Sequence, residues 1–370
     1  MKQINQVMYL DNAATTPLSP QVKQAIMSTL DNYYNPSSVY QNGKNVRKLI
    51  EANREKVATF INADSDDIYF TSSGSASNTL AIKGYLTNGY IYYSPIAHKS
   101  VIKCVKSLHN PICKIPINKD GLFDLEKLEM QLSAIQNSFV IVDYANSEIG
   151  TVQNIKELSA IVHRHNGVIY VDCTGSIPTI PLDVKELNID MAGFSAHKLG
   201  ALKGCGVLYK AKNLKLEPLV YGNQENGLFG GTENVLGIVS LGTAIENYNY
   251  SSVTSYQRDY VLAYFKKNIS DCYLVGSESY RLPNNLYLCI KNINGSQLMA
   301  LLDIYGIQVS TGSACNNYSS EPSNVLTAIN LKSADLLSCI RISFSCHETK
   351  KQLDYLCKKL EENIKFLRKL

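Results

Sequence analysis

Short apolar runs rich in β-branched and aromatic residues alternate along the chain with segments whose apolar positions recur every three to four residues. DIYFT (67–71), YIYYS (90–94), SFVIVDY (138–144) and GVIYVD (167–172) are of the first kind; NTLAIKGYL (78–86) and IKELSAIVHRH (155–165) are of the second. The alternation predicts βα units on a mostly parallel sheet, an α/β fold. Several of the runs are apolar at every position, as strands are when helices cover both faces of a sheet.

The pattern changes around residues 246–260, where NYNYSSVTSYQRDY is polar and irregular. A boundary is expected here, between a large α/β domain over residues 16–248 and a smaller α+β domain made of 1–15 and 249–370. The second part contains YLVGS (273–277), NLYLCI (285–290), IQVSTGS (307–313) and IRISFS (340–345) as candidate strands. It ends in a helical stripe of Leu353, Leu356, Leu360, Ile364 and Leu367.

Composition narrows the partners. Thirty-six Lys plus Arg against 32 Asp plus Glu leave a net charge of +4 over 370 residues, with no block of like charges to bind nucleic acid. No apolar run reaches the length of a membrane span, and MKQINQVMYL lacks the core of a secretion signal. A soluble cytoplasmic protein is expected. The 10 cysteines are scattered with no C-x-x-C pair, so free and mostly buried thiols are expected.

Ligands of open α/β sheets gather beyond the carboxyl ends of the strands, which directs attention to the polar residues closing each apolar run. After DIYFT, Ser72-Ser73-Gly74-Ser75 opens a helix: either a simple cap or a seat for phosphate. Asp172 closes GVIYVD, either as a cap or as a negative charge aimed at a cationic ring. Ser195, His197 and Lys198 follow the next apolar run, where a partly buried Lys is a candidate covalent amine. His98 follows YIYYS, with structural, stacking and proton-transfer roles all open. Cys315 stands in STGSACNN among small residues, a setting that exposes a nucleophilic thiol. Arg341 lies inside an apolar strand and must meet an anion, either an internal carboxylate or that of a ligand.

In this order the residues resemble the cysteine desulfurases, pyridoxal 5′-phosphate (PLP) enzymes of aminotransferase fold type I, class V. The resemblance runs through YLDNAATTP (9–17), NPSS (35–38), FTSSGSASNTLAIKG (70–84), FSAHK (194–198), GGTENVLGIV (230–239), STGSAC (310–315), EPSNVL (321–326) and IRISFS (340–345). The STGSAC loop is similar to that of the nitrogenase and iron–sulfur-assembly branch. The resemblance implies that Lys198 holds the cofactor covalently, that Asp172 partners the ring nitrogen and that His98 stacks on the ring. It implies a phosphate site of Gly74, Ser75, Ser195 and His197, joined by Thr232 from the second subunit of a homodimer. Arg341 would bind the substrate carboxylate, with Ser147 beside it, and Cys315 would carry the persulfide. The implied reaction turns L-cysteine into L-alanine and passes sulfur to an acceptor, an iron–sulfur scaffold or a tRNA-thiolating enzyme.

Some positions depart from the family pattern. Gly175 and Ser147 stand where the family usually has Gln and Asn near the ring oxygen. Asn226 and Phe229 replace two arginines, Ala76 an acid and Tyr40 a histidine. These departures leave room for a lyase acting on another substrate, such as selenocysteine, or for a weakly active desulfurase-like scaffold subunit.

Overall fold

Seven strands, each closed by a turn or helix where its apolar run ends, build the larger sheet of the protein, whose computed structural model describes residues 7–135, 137–312 and 323–369. With β1 (Met8–Tyr9) lying elsewhere, they are β2 (Ile68–Thr71), β3 (Ile91–Tyr93), β4 (Ile112–Lys114), β5 (Phe139–Asp143), β6 (Val168–Asp172), β7 (Met191–Ser195) and β8 (Gly206–Lys210). Their order is β2-β8-β7-β6-β5-β3-β4. The pairings from β7 through β6, β5 and β3 to β4 are parallel, and β8 alone runs antiparallel to both of its neighbours. The expected mostly parallel sheet is therefore present.

Its two faces are both covered, which explains the continuous apolar runs. Helices α1 (Pro20–Thr29) and α2 (Gln41–Phe60) precede the sheet. Then come α3 (Gly74–Gly84), α4 (Lys99–Val105), α5 (Leu125–Ser133), α6 (Ile155–Arg164) and α7 (Val235–Glu246). Leu80 of α3 and Val101 of α4 share one cluster with Phe139, Ile141 and Tyr170. Ile50 of α2, Leu128 of α5, Leu158 of α6 and Leu241 of α7 share another with Val140, Val142 and Val171. Odd and even strand positions thus bury against different helices.

A second core forms around an antiparallel sheet of β9 (Cys272–Leu274), β10 (Asn285–Ile290) and β12 (Cys339–Ser343), with β11 (Ile307–Gln308) pairing β1 in parallel. Helices α8 (Tyr256–Asn268), α9 (Gly295–Ile304) and α11 (Lys350–Leu367) cover it, and the short α10 (Asn324–Ala328) lies between β11 and β12. Leu353, Leu356, Leu360 and Ile364 of the terminal stripe are buried in this core. Two details differ from the sequence reading. Helix α8 begins at Tyr256, inside the stretch that reads as irregular, because Val261 and Phe265, one turn apart, are buried in this core, with Tyr260, Leu262 and Tyr264 packed against it, while its first turn is mostly polar. Of the described part of the run at 307–313, only Ile307–Gln308 is a strand. Nine cysteines are free thiols among the described residues. No helix among the described residues is long and apolar enough to cross a membrane.

Candidate active site

The carboxyl ends of β2, β3, β5, β6 and β7 point the same way and open into a cavity of about 440 Å³. Gly74, Ser75, His98, Ser147, Asp172, Ser195, His197, Lys198 and Arg341 all line it. Thr232 does not; it is exposed on the loop before α7. Cys315 lies outside the described residues.

One end of the cavity is built for an anion. Ser73, extended at the end of the β2 turn, caps α3 by accepting from the Ala76 N–H at 3.1 Å, which leaves the first amides of an 11-residue helix turned toward the cavity. Gly74 packs closely: a Cβ there would stand 3.1 Å from both Ser195 Cβ and Thr174 Oγ1, tight enough that these side chains would have to shift by a few tenths of an ångström. His197 shares a hydrogen bond of 3.0 Å with Thr15 Oγ1. Burial, followed by the charges of Lys198 and Lys203, drives its pKa down to about 4, so it is a neutral imidazole at pH 7.

The opposite wall carries a fixed negative charge. Asp172 Oδ2 accepts from Asn78 Nδ2 and Oδ1 from the Thr174 N–H, both at 2.9 Å. The buried Tyr170 hydroxyl donates to Asn78 Oδ1, which turns the amide nitrogen of Asn78 toward the carboxylate. That nitrogen also reaches Ser100 Oγ at 2.9 Å, and Ser100 Oγ meets His98 Nδ1 at 2.7 Å. The Ser100 N–H donates to the same Nδ1 at 3.2 Å. Nδ1 is therefore an acceptor, and the proton of the neutral ring sits on Nε2. Surrounding protein atoms lower the pKa of His98, with Lys198 and Lys99 adding to the effect and Asp172 opposing it.

Between these ends Lys198, in the turn after β7, places its Nζ in the cavity and donates to the Ala13 carbonyl. Arg341 is almost wholly buried in β12 and meets an internal anion: Nη2 lies 2.7 Å from Asp11 Oδ1. Nη1 donates to the carbonyls of Ser147 and Gly312 at 3.1 and 3.2 Å, while Nε has no partner among the described residues. A guanidinium held by three groups, with the Nε hydrogen and one Nη2 hydrogen unspent, suits a ligand carboxylate.

Several residues of this site are not evident from sequence. Asn78, Ser100, Asp11, Glu148 and Asp143 reach it only through the tertiary fold, and the sole sequence signal for any of them is that Asp143 closes an apolar run. Gly175 has a structural reason as well. A Cβ at that position would lie 2.5 Å from the Ala145 carbonyl, so no longer side chain fits this backbone.

The arrangement fits PLP: helix amides and hydroxyls for a phosphate, a carboxylate for a ring nitrogen, an amine between them, and an arginine for an amino-acid carboxylate. Comparison with known proteins points the same way. The family model "Aminotransferase class-V" matches residues 8–356. The chain is 39% identical to "Cysteine desulfurase IscS" of Dictyoglomus turgidum, over 98% of this chain and 95% of that one. It is 36% identical to a cysteine desulfurase of Trichormus azollae, over 98% and 94%. A NifS-like protein from Rickettsia africae superimposes with a TM-score of 0.89 at 32% identity, covering 98% of this chain and all of that one. A structure described as SspA in complex with cysteine gives 0.81 at 29%, covering 92% of this chain and all of the other.

Proposed function

The chain belongs to the cysteine desulfurases of the class-V aminotransferase family, and from that premise we propose that it holds PLP on Lys198 and converts L-cysteine into L-alanine and an enzyme-bound persulfide. The observation that carries this reading is the convergence of Asp172, Lys198 and Arg341 on one cavity with the N-terminus of α3. Bound PLP supplies an electron sink that makes the substrate Cα–H acidic and weakens its Cβ–S bond.

The protein's own groups divide the remaining work. The first amides of α3, with Ser75, Ser195 and neutral His197, bind the phosphate. Asp172, oriented by Asn78 and the Thr174 N–H, would hold a proton on the ring nitrogen. His98 covers the ring, its Nε2 proton directed away from the Ser100 contact. Arg341 takes the substrate carboxylate, oriented by Asp11, with Ser147 alongside. Lys198 Nζ accepts the proton from Cα and returns one to the product carbon. Cys315 is assigned on sequence resemblance: its thiolate attacks the substrate sulfur, a sulfur–sulfur bond forms as Cβ–S breaks, and alanine leaves.

A homodimer completes the site. Tyr33, Val39 and Tyr40, just before α2, and Val220 and Tyr221, in the loop leading to Thr232, are large apolar side chains exposed in the single chain. A partner covering them brings Thr232 to the other subunit's phosphate. The persulfide then passes to an acceptor protein, an iron–sulfur scaffold or a tRNA-thiolating enzyme.

The test is direct. Protein loaded with PLP and given L-cysteine with a thiol reductant should yield alanine and sulfide in equal amounts over many turnovers. Neither product above a PLP-only control would refute the proposal, and a preference for L-selenocysteine would reassign the substrate.

A further inference from the structure

Asp143 is the last residue of β5 and is in register with Asp172 of β6. Register partners on adjacent parallel strands share a face. The two carboxyls therefore stand together on the α3–α4 side of the sheet, and both line the cavity. They differ in one respect. Asp172 has two hydrogen-bond donors, whereas both oxygens of Asp143 are buried without a well-formed hydrogen bond among the described residues, with the Ser94 hydroxyl and the Asn146 amide nearby. The neighbouring Asn146 amide donates to the Ile96 carbonyl and accepts from the N–H groups of Glu148 and Ile149. A buried carboxyl without a partner is costly unless a donor or cation arrives to meet it.

Resting on the reading that this cavity holds PLP, we propose that Asp143 is a second carboxyl of the wall that receives the cationic ring nitrogen, and that in mild acid it loses a proton to solvent as that cation is seated beside Asp172. The O–H bond of Asp143 breaks, water takes the proton, and the carboxylate remains; nothing is oxidised or reduced. Burial pushes Asp143 up to about 6; the nearby Ser94 hydroxyl opposes this, the charge of Asp172 adds to it, and Asn146 opposes it more weakly. A cation close by reverses that push. The other charged or titratable groups lining the cavity are His98 and Lys99 at the start of α4, Glu148 after β5, His197 and Lys198 after β7, Lys203 before β8, and Arg341 of β12. His98, whose pKa burial lowers, is left unchanged, so the comparison is between Asp143 and its amide.

The experiment is PLP binding to the apo full-length protein, wild type and Asp143→Asn, by equilibrium dialysis between about pH 5 and pH 7. A proton that must leave a group of pKa about 6 weakens binding about tenfold on going from pH 7 to pH 5. The ratio of variant to wild-type dissociation constants should therefore fall about tenfold over that range, the wild type losing its advantage in acid. Asp143→Ala serves in the same comparison should the amide not fold. A second readout needs no cofactor: the urea midpoint of wild-type apoprotein should rise relative to that of the variant as the pH is lowered through 6, since the folded state then binds the extra proton. A ratio and a midpoint difference that do not change with pH would overturn the inference while leaving the PLP site intact. Failure of both proteins to bind PLP would overturn the reading beneath it.

Discussion

Arg341 Nη2 lies 2.7 Å from Asp11 Oδ1, which joins the middle of β12 to the segment after β1 and neutralises the buried guanidinium before any substrate enters. The Asp11 side chain is about four-fifths buried, so water screens the pair little. Asp11→Asn should lower the stability of the unliganded protein by roughly 3 kcal/mol, the usual result of leaving one member of a buried pair uncompensated. Saturating L-alanine should recover part of the loss, because its carboxylate meets the same guanidinium. Urea denaturation with and without L-alanine checks both effects.

His197 makes the protein sensitive to mild acid. Its pKa in the folded chain is about 4, against an ordinary value of 6.5. Below 6.5 the unfolded chain binds the proton more readily, so stability is present above pH 6.5 and is lost as the pH falls toward 4. The ring is partly exposed, and after solvent screening the loss should be about 1–2 kcal/mol. His197→Asn should flatten this part of the stability profile of the apoprotein, as followed by urea midpoints; an unchanged slope would mean that His197 is not the group responsible.

Cys315→Ser should separate cofactor binding from sulfur transfer. The variant is expected to bind PLP as tightly as the wild type yet to form no persulfide and to release sulfide at least about a hundredfold more slowly, as expected on removing a covalent nucleophile. Mass spectrometry of the protein after one turnover with L-cysteine looks for the added sulfur atom at this position. Full activity in the variant would remove Cys315 from the mechanism.

Sequence patterning reaches far into this fold, for reasons tied to particular elements. β5, β6 and β7 are buried on both faces, so their apolar runs are unbroken and the polar residues that end them, Asp143, Asp172 and Ser195, stand out. Those endings also lead to the cavity, because parallel strands deliver their carboxyl ends to one edge. What the pattern does not carry is pairing across the fold. Asn78 sits on a helix whose apolar rhythm marks only its packing, yet its amide links Tyr170, Asp172 and Ser100. Asp11 meets Arg341 across 330 residues of chain, a contact without a local signature. The close approach of Gly175 to the Ala145 carbonyl is likewise visible only in three dimensions. Helix α8 escaped notice because its buried stripe is narrow: Val261 and Phe265 are set among tyrosines, lysines and an arginine.

The central claim is that Lys198 holds the cofactor. Reducing the PLP-loaded protein with borohydride and mapping its peptides by mass spectrometry tests this most directly. The account expects one phosphopyridoxyl group per chain, on Lys198, and none in Lys198→Ala. Label on a different lysine, or undiminished specific labelling in that variant, would contradict it.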